Sequence, residues 1–236
     1  MSVLWKNMTN FSFLPKYLSY FKNGTICTLV IAVLSVFAAV LPALMLALMR
    51  LSKNKVLKNL SGAYIALFRS TPVLVQLYIV YFGPFVIINL PSYKLFGFID
   101  VSMLIPGIVA LALNSSAYVA EIIRGGILAV DQGQTEAARS LGLTQAQTMR
   151  YVVLPQAVKN IIPTLANELV TMVKESSVIG YLGCQDLMWG TRNTVGATFI
   201  PLAPYIFAAA IYFAINYPAS KAIECLERRM RRGDVR

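Results

Sequence analysis

The chain has 236 residues, 57% of them hydrophobic and 13% charged, with no histidine and a formal net charge of +11. Soluble domains carry about 25% charged residues, so this composition excludes an ordinary water-soluble domain. The missing histidine excludes histidine catalysis and histidine metal sites, and the excess of cations reads as topology before nucleic-acid binding.

Cys27, Cys184 and Cys225 are far apart and lack the spacing of a metal or redox motif, so they read as small apolar residues. No metal site, cofactor or nucleic-acid partner is expected.

Residues 1–24 place Phe13, Leu14, Tyr17, Leu18 and Phe21 on one helical face and Lys16 and Lys22 off it. That pattern predicts an interfacial segment lying on the membrane. A single transmembrane domain is expected over 25–228, with a basic tail at 229–236. The first span covers about 25–49, with Pro42 as a kink candidate. Arg50, Lys53, Lys55 and Lys58 follow it.

Residues 56–69 are moderately amphipathic and run into Phe68-Arg69-Ser70-Thr71-Pro72. Thr71 reads as an N-cap and Pro72 as the first residue of a second span over 72–90, which Gly83-Pro84 bends. Arg69 then lies near the polar surface as an anchor. The alternative, one long helix with Arg69 inside the bilayer, costs several kcal/mol unless the arginine is paired.

A short loop over 91–100 leads to a third span over 101–123. It carries Asn114, Ser115 and Ser116 near its middle and Glu121 towards its end. The stretch 131–155 is the longest polar island in the chain. Glu136 to Leu141 are mostly good helix formers, and Gly142 sits where a left-handed C-terminal residue is wanted. Thr144 opens a second helix with Gln147 at the capping-box spacing, and Pro155 marks where that helix ends or kinks. An ordered helix-turn-helix between spans suggests a docking surface for a soluble partner.

The fourth span, about 161–182, repeats Thr164, Glu168, Thr171 and Glu175 along one side, with Asn167 and Lys174 beside them. Such a face must line water or pack against other helices. Residues 183–201 read as a loop or re-entrant segment, and the fifth span covers about 204–223. With alternate segments assigned to alternate sides, fourteen lysines and arginines fall on the side of the island and the C-terminus, and five on the other. The positive-inside rule then puts the island and the tail in the cytoplasm and the N-terminus outside.

Glu136-Ala137-Ala138, Gly142 and Leu154-Pro155 together resemble the EAA loop of the inner-membrane permease subunits of ABC importers. Ala117-Tyr118-Val119-Ala120-Glu121-Ile122-Ile123-Arg124-Gly125-Gly126-Ile127, Gly133-Gln134 and Phe68 to Leu77 are similar to the polar amino acid subfamily. That subfamily serves histidine, arginine, glutamine and glutamate uptake. Ser70 stands where glycine is more usual, and Glu175-Ser176-Ser177 replaces a commoner Asp-Thr-Ser. The resemblance implies an all-α integral membrane protein of the type I ABC importer kind, with about five transmembrane helices, in a bacterial inner or plasma membrane. It implies a second permease subunit, identical or related, two cytoplasmic ATPase subunits, and an extracytoplasmic amino-acid-binding protein. The 131–155 loop becomes the coupling helix, with Glu136, Ala137, Ala138, Arg139 and Gly142 as its contact residues.

The chain lacks a G-x-x-x-x-G-K-[ST] phosphate loop, so the ATP chemistry is expected in a partner and the chain is not itself an enzyme. Asn114, Glu121, Glu168, Thr171 and Glu175 are the candidate substrate-pathway residues, and membrane lipid is expected around the chain as a whole. Each keeps a structural alternative: Glu121 pairing with Arg124, Asn114 cross-linking helices, and the fourth-span face packing against a subunit. Two rival functions also stand, an importer of another small solute and a membrane sensor or scaffold without transport. The polar fourth span counts against the scaffold, which needs no aqueous path.

Overall fold

The computed structural model describes residues 2–88 and 90–231; residues 232–236 of the basic tail lie outside the described residues. The helices are α1 Ser2–Thr9, α2 Leu14–Leu51, α3 Lys55–Ser70, α4 Val73–Val80, α5 Val101–Leu128, α6 Gln132–Ser140, α7 Gln145–Thr148, α8 Leu154–Glu175, α9 Leu187–Thr198 and α10 Ala203–Arg231. Between α4 and α5, β1 (Lys94–Leu95) and β2 (Ile99–Asp100) form a small antiparallel hairpin. Among the described residues α2, α5 and α10 are long and apolar enough to cross a membrane. Lys55–Ser70 with Val73–Ile88 makes a fourth such unit, bent by 109°. Helix α8 is not among them, because its polar stripe lowers its hydropathy.

The centre of the fold is α2 against α5. Ser35, Ala39, Ala43 and Ala47 of α2 recur every four residues and are buried, a stripe of small side chains that lets two backbones approach closely. In lipid, where hydrophobic association is weak, such packing holds helices together. On its other side α2 exposes Phe37, Leu41, Met45 and Leu48, as a lipid-facing surface does. Helix α10 has only 6% of its most apolar window buried, so most of its surface is left for lipid or another chain.

Several boundaries differ from the sequence reading. The segment over 1–24 is not a separate interfacial element, since α2 begins at Leu14 and runs unbroken into the span. Phe13 and Phe21 are buried. Their rings lie 5.8 Å apart and 6.3 and 4.9 Å from Phe207 of α10. Part of the apolar face that read as membrane-seeking is covered by protein, while Leu18 stays exposed.

Pro155 does not end the second island helix. A wide turn over Met149–Val153 carries the chain from α7 straight into α8, and the proline sits at the start of α8, where its missing N–H costs least. Helix α8 therefore starts at Leu154 and passes at Glu175 into a tighter turn over Ser176–Leu182. The 183–201 stretch contains α9, capped by Asp186, which accepts from Trp189 N at 2.6 Å. Leu187 N donates to Thr28 Oγ1 at 3.2 Å and ties α9 to α2.

Thr71 is not the N-cap of α4. Pro72 occupies that place, and Thr71 turns back, donating to Leu67 O at 2.8 Å. The α3–α4 break follows from Pro72. In a continuous helix Phe68 O would accept from residue 72, which has no N–H. The Gln76 amide supplies the missing donor, to Phe68 O at 2.9 Å and to Thr71 O at 3.0 Å. Asn114 of α5 donates to Gln76 Oε1 at 2.8 Å and to Phe68 O at 3.3 Å. Tyr64 of α3 adds a bond to Leu113 O at 3.0 Å. The broken span is thus stapled to α5 by polar side chains.

Candidate functional site

The island folds as a rigid hairpin whose every turn has a local cause. Asp131 caps α6 by accepting from Gly133 N. At the other end Gly142 has φ +87°, the left-handed conformation that glycine adopts at no steric cost. Gly142 N donates to Arg139 O and Leu143 N to Ala138 O, the paired bonds of a Schellman ending. Arg139 Nη1 adds a bond to Leu143 O at 2.6 Å. Thr144 and Gln147 then form the reciprocal capping box that opens α7.

Ala138 is buried, so it is the residue that seats α6 against the rest of the hairpin. Glu136, Ala137, Arg139 and Gly142 are exposed. Leu141, which the sequence reading did not single out as a contact residue, is 82% exposed at the tip. Its side chain lies on the surface of the hairpin together with Glu136 and Arg139.

The polar face of α8 divides in two. Glu168, Thr171 and Glu175 are half-buried, and Ser115 of α5 donates to Glu168 Oε1 at 2.8 Å. Thr164, Asn167 and Lys174 are exposed. Thr164 and Asn167 line a cavity of about 300 Å³ shared with Ser220, Glu224 and Glu227 of α10. Glu168 and Glu175 do not line that cavity, whose acidic groups are Glu224 and Glu227 of α10; the stripe itself faces the hydroxyl of Ser115.

Asn114 and Glu121 stand in the framework. Asn114 is 3% exposed and its amide is committed to the α3–α4 staple. Glu121 accepts from Arg124 Nε and Nη2 at 2.9 and 2.7 Å, and Arg50 Nε lies 3.6 Å away. Arg69, read from sequence as a surface anchor, lies over the Tyr118 ring at 5.3 Å and shares a cavity with Arg50 and Glu121. Sequence spacing offered Arg124 as the partner of Glu121. Arg50 is brought in only by the packing of α2 on α5.

Among the described residues no cluster of histidine, cysteine, aspartate or glutamate is arranged to hold a metal ion. Asp186 is fully buried at the start of α9, and burial pushes its carboxyl up to about 7 despite the Trp189 N–H and Arg192 nearby.

Residues 31–232 match the family described as binding-protein-dependent transport system inner membrane component. The chain belongs to this family. A putative glutamine transport system permease protein from Rickettsia felis is 38% identical over 218 residues, covering 92% of this chain and 95% of that protein. The arginine transport system permease protein ArtQ of Bacillus subtilis is 36% identical over 225 residues, covering 95% and 99%. The crystal structure of an amino acid ABC transporter with histidines superimposes with a TM-score of 0.84 at 44% identity, covering 94% of this chain and 99% of that one. An inward-facing methionine ABC transporter shares the fold, with a TM-score of 0.73 at 22% identity. The permease fold is therefore the all-α transmembrane fold of type I ABC importers.

Proposed function

We propose that this permease carries a polar or charged L-amino acid of the glutamine or arginine class into the cell, driven by ATP hydrolysis on separate subunits. The observation that carries the coupling half is the hairpin: a locked helix-turn-helix presenting Glu136, Ala137, Arg139, Leu141 and Gly142 outward, continuous through Met149–Val153 with α8. A rigid element transmits a displacement that a loose loop would absorb. Two ATPase subunits engage the hairpins of two permease subunits in the cytoplasm. The N-terminus lies outside, where an amino-acid-binding protein delivers the solute, and the C-terminus lies inside. Movement of the hairpin is passed along α8 to Glu168, Thr171 and Glu175, which line the path. Asn114 and Glu121 act at one remove, by holding α3, α4 and α5 in register.

The test is uptake of radiolabelled L-glutamine and L-arginine by proteoliposomes holding the permease with its ATPase and binding protein. ATP-dependent accumulation of either is expected, and Glu168→Gln should lower it at least about tenfold, about 1.4 kcal/mol. Accumulation of neither would overturn the substrate reading.

A further inference from the structure

Cys27 and Cys184 read from sequence as unrelated apolar residues, 157 positions apart. The fold brings them into contact. Their sulfurs lie 3.5 Å apart, and both side chains are buried. Cys27 belongs to α2, and Cys184 to the short turn that leads into α9. Cys225, towards the C-terminal end of α10, is exposed.

Backbone packing, and not the sulfurs themselves, sets this contact. One turn before Cys27, Gly24 lets the backbone ahead of α9 touch α2, since a Cβ there would lie 2.8 Å from Asp186 O and from Leu187 Cα. One residue after Cys27, Thr28 Oγ1 accepts from Leu187 N at 3.2 Å. Gly183, with φ +94°, turns the chain into Cys184, and Asp186 N donates to Cys184 O at 2.8 Å. The two sulfurs are thus held opposite each other by contacts on either side of them. A disulfide brings sulfurs to about 2.05 Å, so closing this pair takes a movement of about 1.5 Å.

The compartment decides whether such a pair is oxidised. Cys27 lies in the N-terminal half of α2, and Cys184 between the end of α8 and the start of α10. On the orientation proposed above, both belong to the extracytoplasmic half of the fold, the side on which disulfides form and persist. Thiols buried in a folded protein are inert, so the exchange precedes the docking of α9 on α2 as the chain folds.

We propose that Cys27 and Cys184 form a disulfide that fastens α9 to α2. The oxidant is the disulfide of an extracytoplasmic thiol oxidoreductase. One cysteine attacks as the thiolate, displaces one oxidoreductase sulfur and forms a mixed disulfide. The other cysteine then displaces the second sulfur and closes the bond. The two protons lost by Cys27 and Cys184 end on the two thiols of the reduced oxidoreductase, so atoms and electrons balance. Tied in this way, α9 moves with α2 as one body. The assignment rests on the outward N-terminus of the proposed function and is independent of the transported solute.

The experiment counts free thiols in the full-length protein, produced in a bacterium with an oxidising extracytoplasmic compartment. Cells are quenched in acid, and the protein is denatured in dodecyl sulfate and labelled with a maleimide–polyethylene glycol polymer, so that each free thiol shifts the band by one step. The wild type should show one step without reductant, from Cys225, and three after dithiothreitol. Cys225→Ser should show none and two. Cys27→Ser should show two under both conditions, because Cys184 has lost its partner. Three steps in the unreduced wild type overturn the proposal, as does a single step in unreduced Cys27→Ser, which would pair Cys184 with something else. A membrane-impermeant maleimide applied to spheroplasts tests the orientation by itself and should leave Cys225 unlabelled. Labelling of Cys225 from outside overturns the orientation and with it the ground for the disulfide, whereas three steps with Cys225 protected overturn the disulfide alone.

Discussion

Replacing Gln76 by leucine tests the reasoning about the broken span most directly. The side chain is 6% exposed, close in volume to leucine, and bonded to Phe68 O, Thr71 O, Thr71 Oγ1 and the Asn114 amide. Gln76→Leu leaves Thr71 O without that donor and Asn114 without its 2.8 Å acceptor. Phe68 O keeps only the 3.3 Å bond from Asn114. Each polar group left short of a partner costs about 1–3 kcal/mol, and burying the leucine returns about 1–2 kcal/mol. The net loss should be about 2–3 kcal/mol, a fall of roughly 5–10 °C for a chain of this size.

Asn114→Leu alone should cost less, because Gln76 keeps its bonds to Phe68 and Thr71. The double variant should be less destabilised than the sum by about 1 kcal/mol, within the range measured for hydrogen bonds between membrane helices. Pro72→Ala restores an N–H opposite Phe68 O and should recover part of the Gln76→Leu loss. The assay is thermal unfolding in detergent followed by fluorescence-detected size exclusion. Additive single variants, or an unchanged midpoint for Gln76→Leu, would refute the staple.

At Gly142 the constraint is purely dihedral: φ is +87° and an added Cβ meets nothing within 4 Å. Gly142→Val should therefore cost about 1–2 kcal/mol locally and abolish uptake while the protein stays in the membrane, whereas Gly142→Asn should keep most activity; normal uptake by the valine variant would count against coupling through the hairpin. Asp186 predicts a pH effect. Its carboxyl is raised from 3.8 to about 7 by burial, so the folded protein binds the proton more tightly than the unfolded chain. The stability it contributes is fully present below about pH 4 and is lost as the pH rises through about 7. Across that window the loss amounts to about 4 kcal/mol. Asp186→Asn keeps the cap on Trp189 and should flatten the unfolding midpoint between pH 5 and pH 8; an unchanged slope would show that Asp186 is not its source.

The hairpin was legible because its causes are local. Capping at Thr144 and Gln147, the left-handed turn at Gly142 and the helix formers from Glu136 are all decided by residues within a few positions of each other. The polar side of α8 was legible for the same reason, since 3.6-residue periodicity needs no tertiary information. Boundaries were less so. Proline at 155 signals a helix end only when no wide turn precedes it, and the turn over Met149–Val153 removed that consequence. The N-terminal aromatic face was correctly apolar, but whether lipid or Phe207 covers it depends on where α10 lies.

The sequence by itself determined that this is an all-α membrane chain and that a structured hairpin stands between its long apolar helices. Those properties come from hydropathy, periodicity and caps, each a sum over neighbours along the chain. The tertiary structure decided which polar side chains are spent on the fold and which stay free. Gln76 and Asn114 are 38 positions apart, and Arg50 and Glu121 lie on different helices; nothing local forecasts either pair. Buried polar groups must find partners wherever packing brings them, so their roles are settled only when α2, α3, α4 and α5 come together.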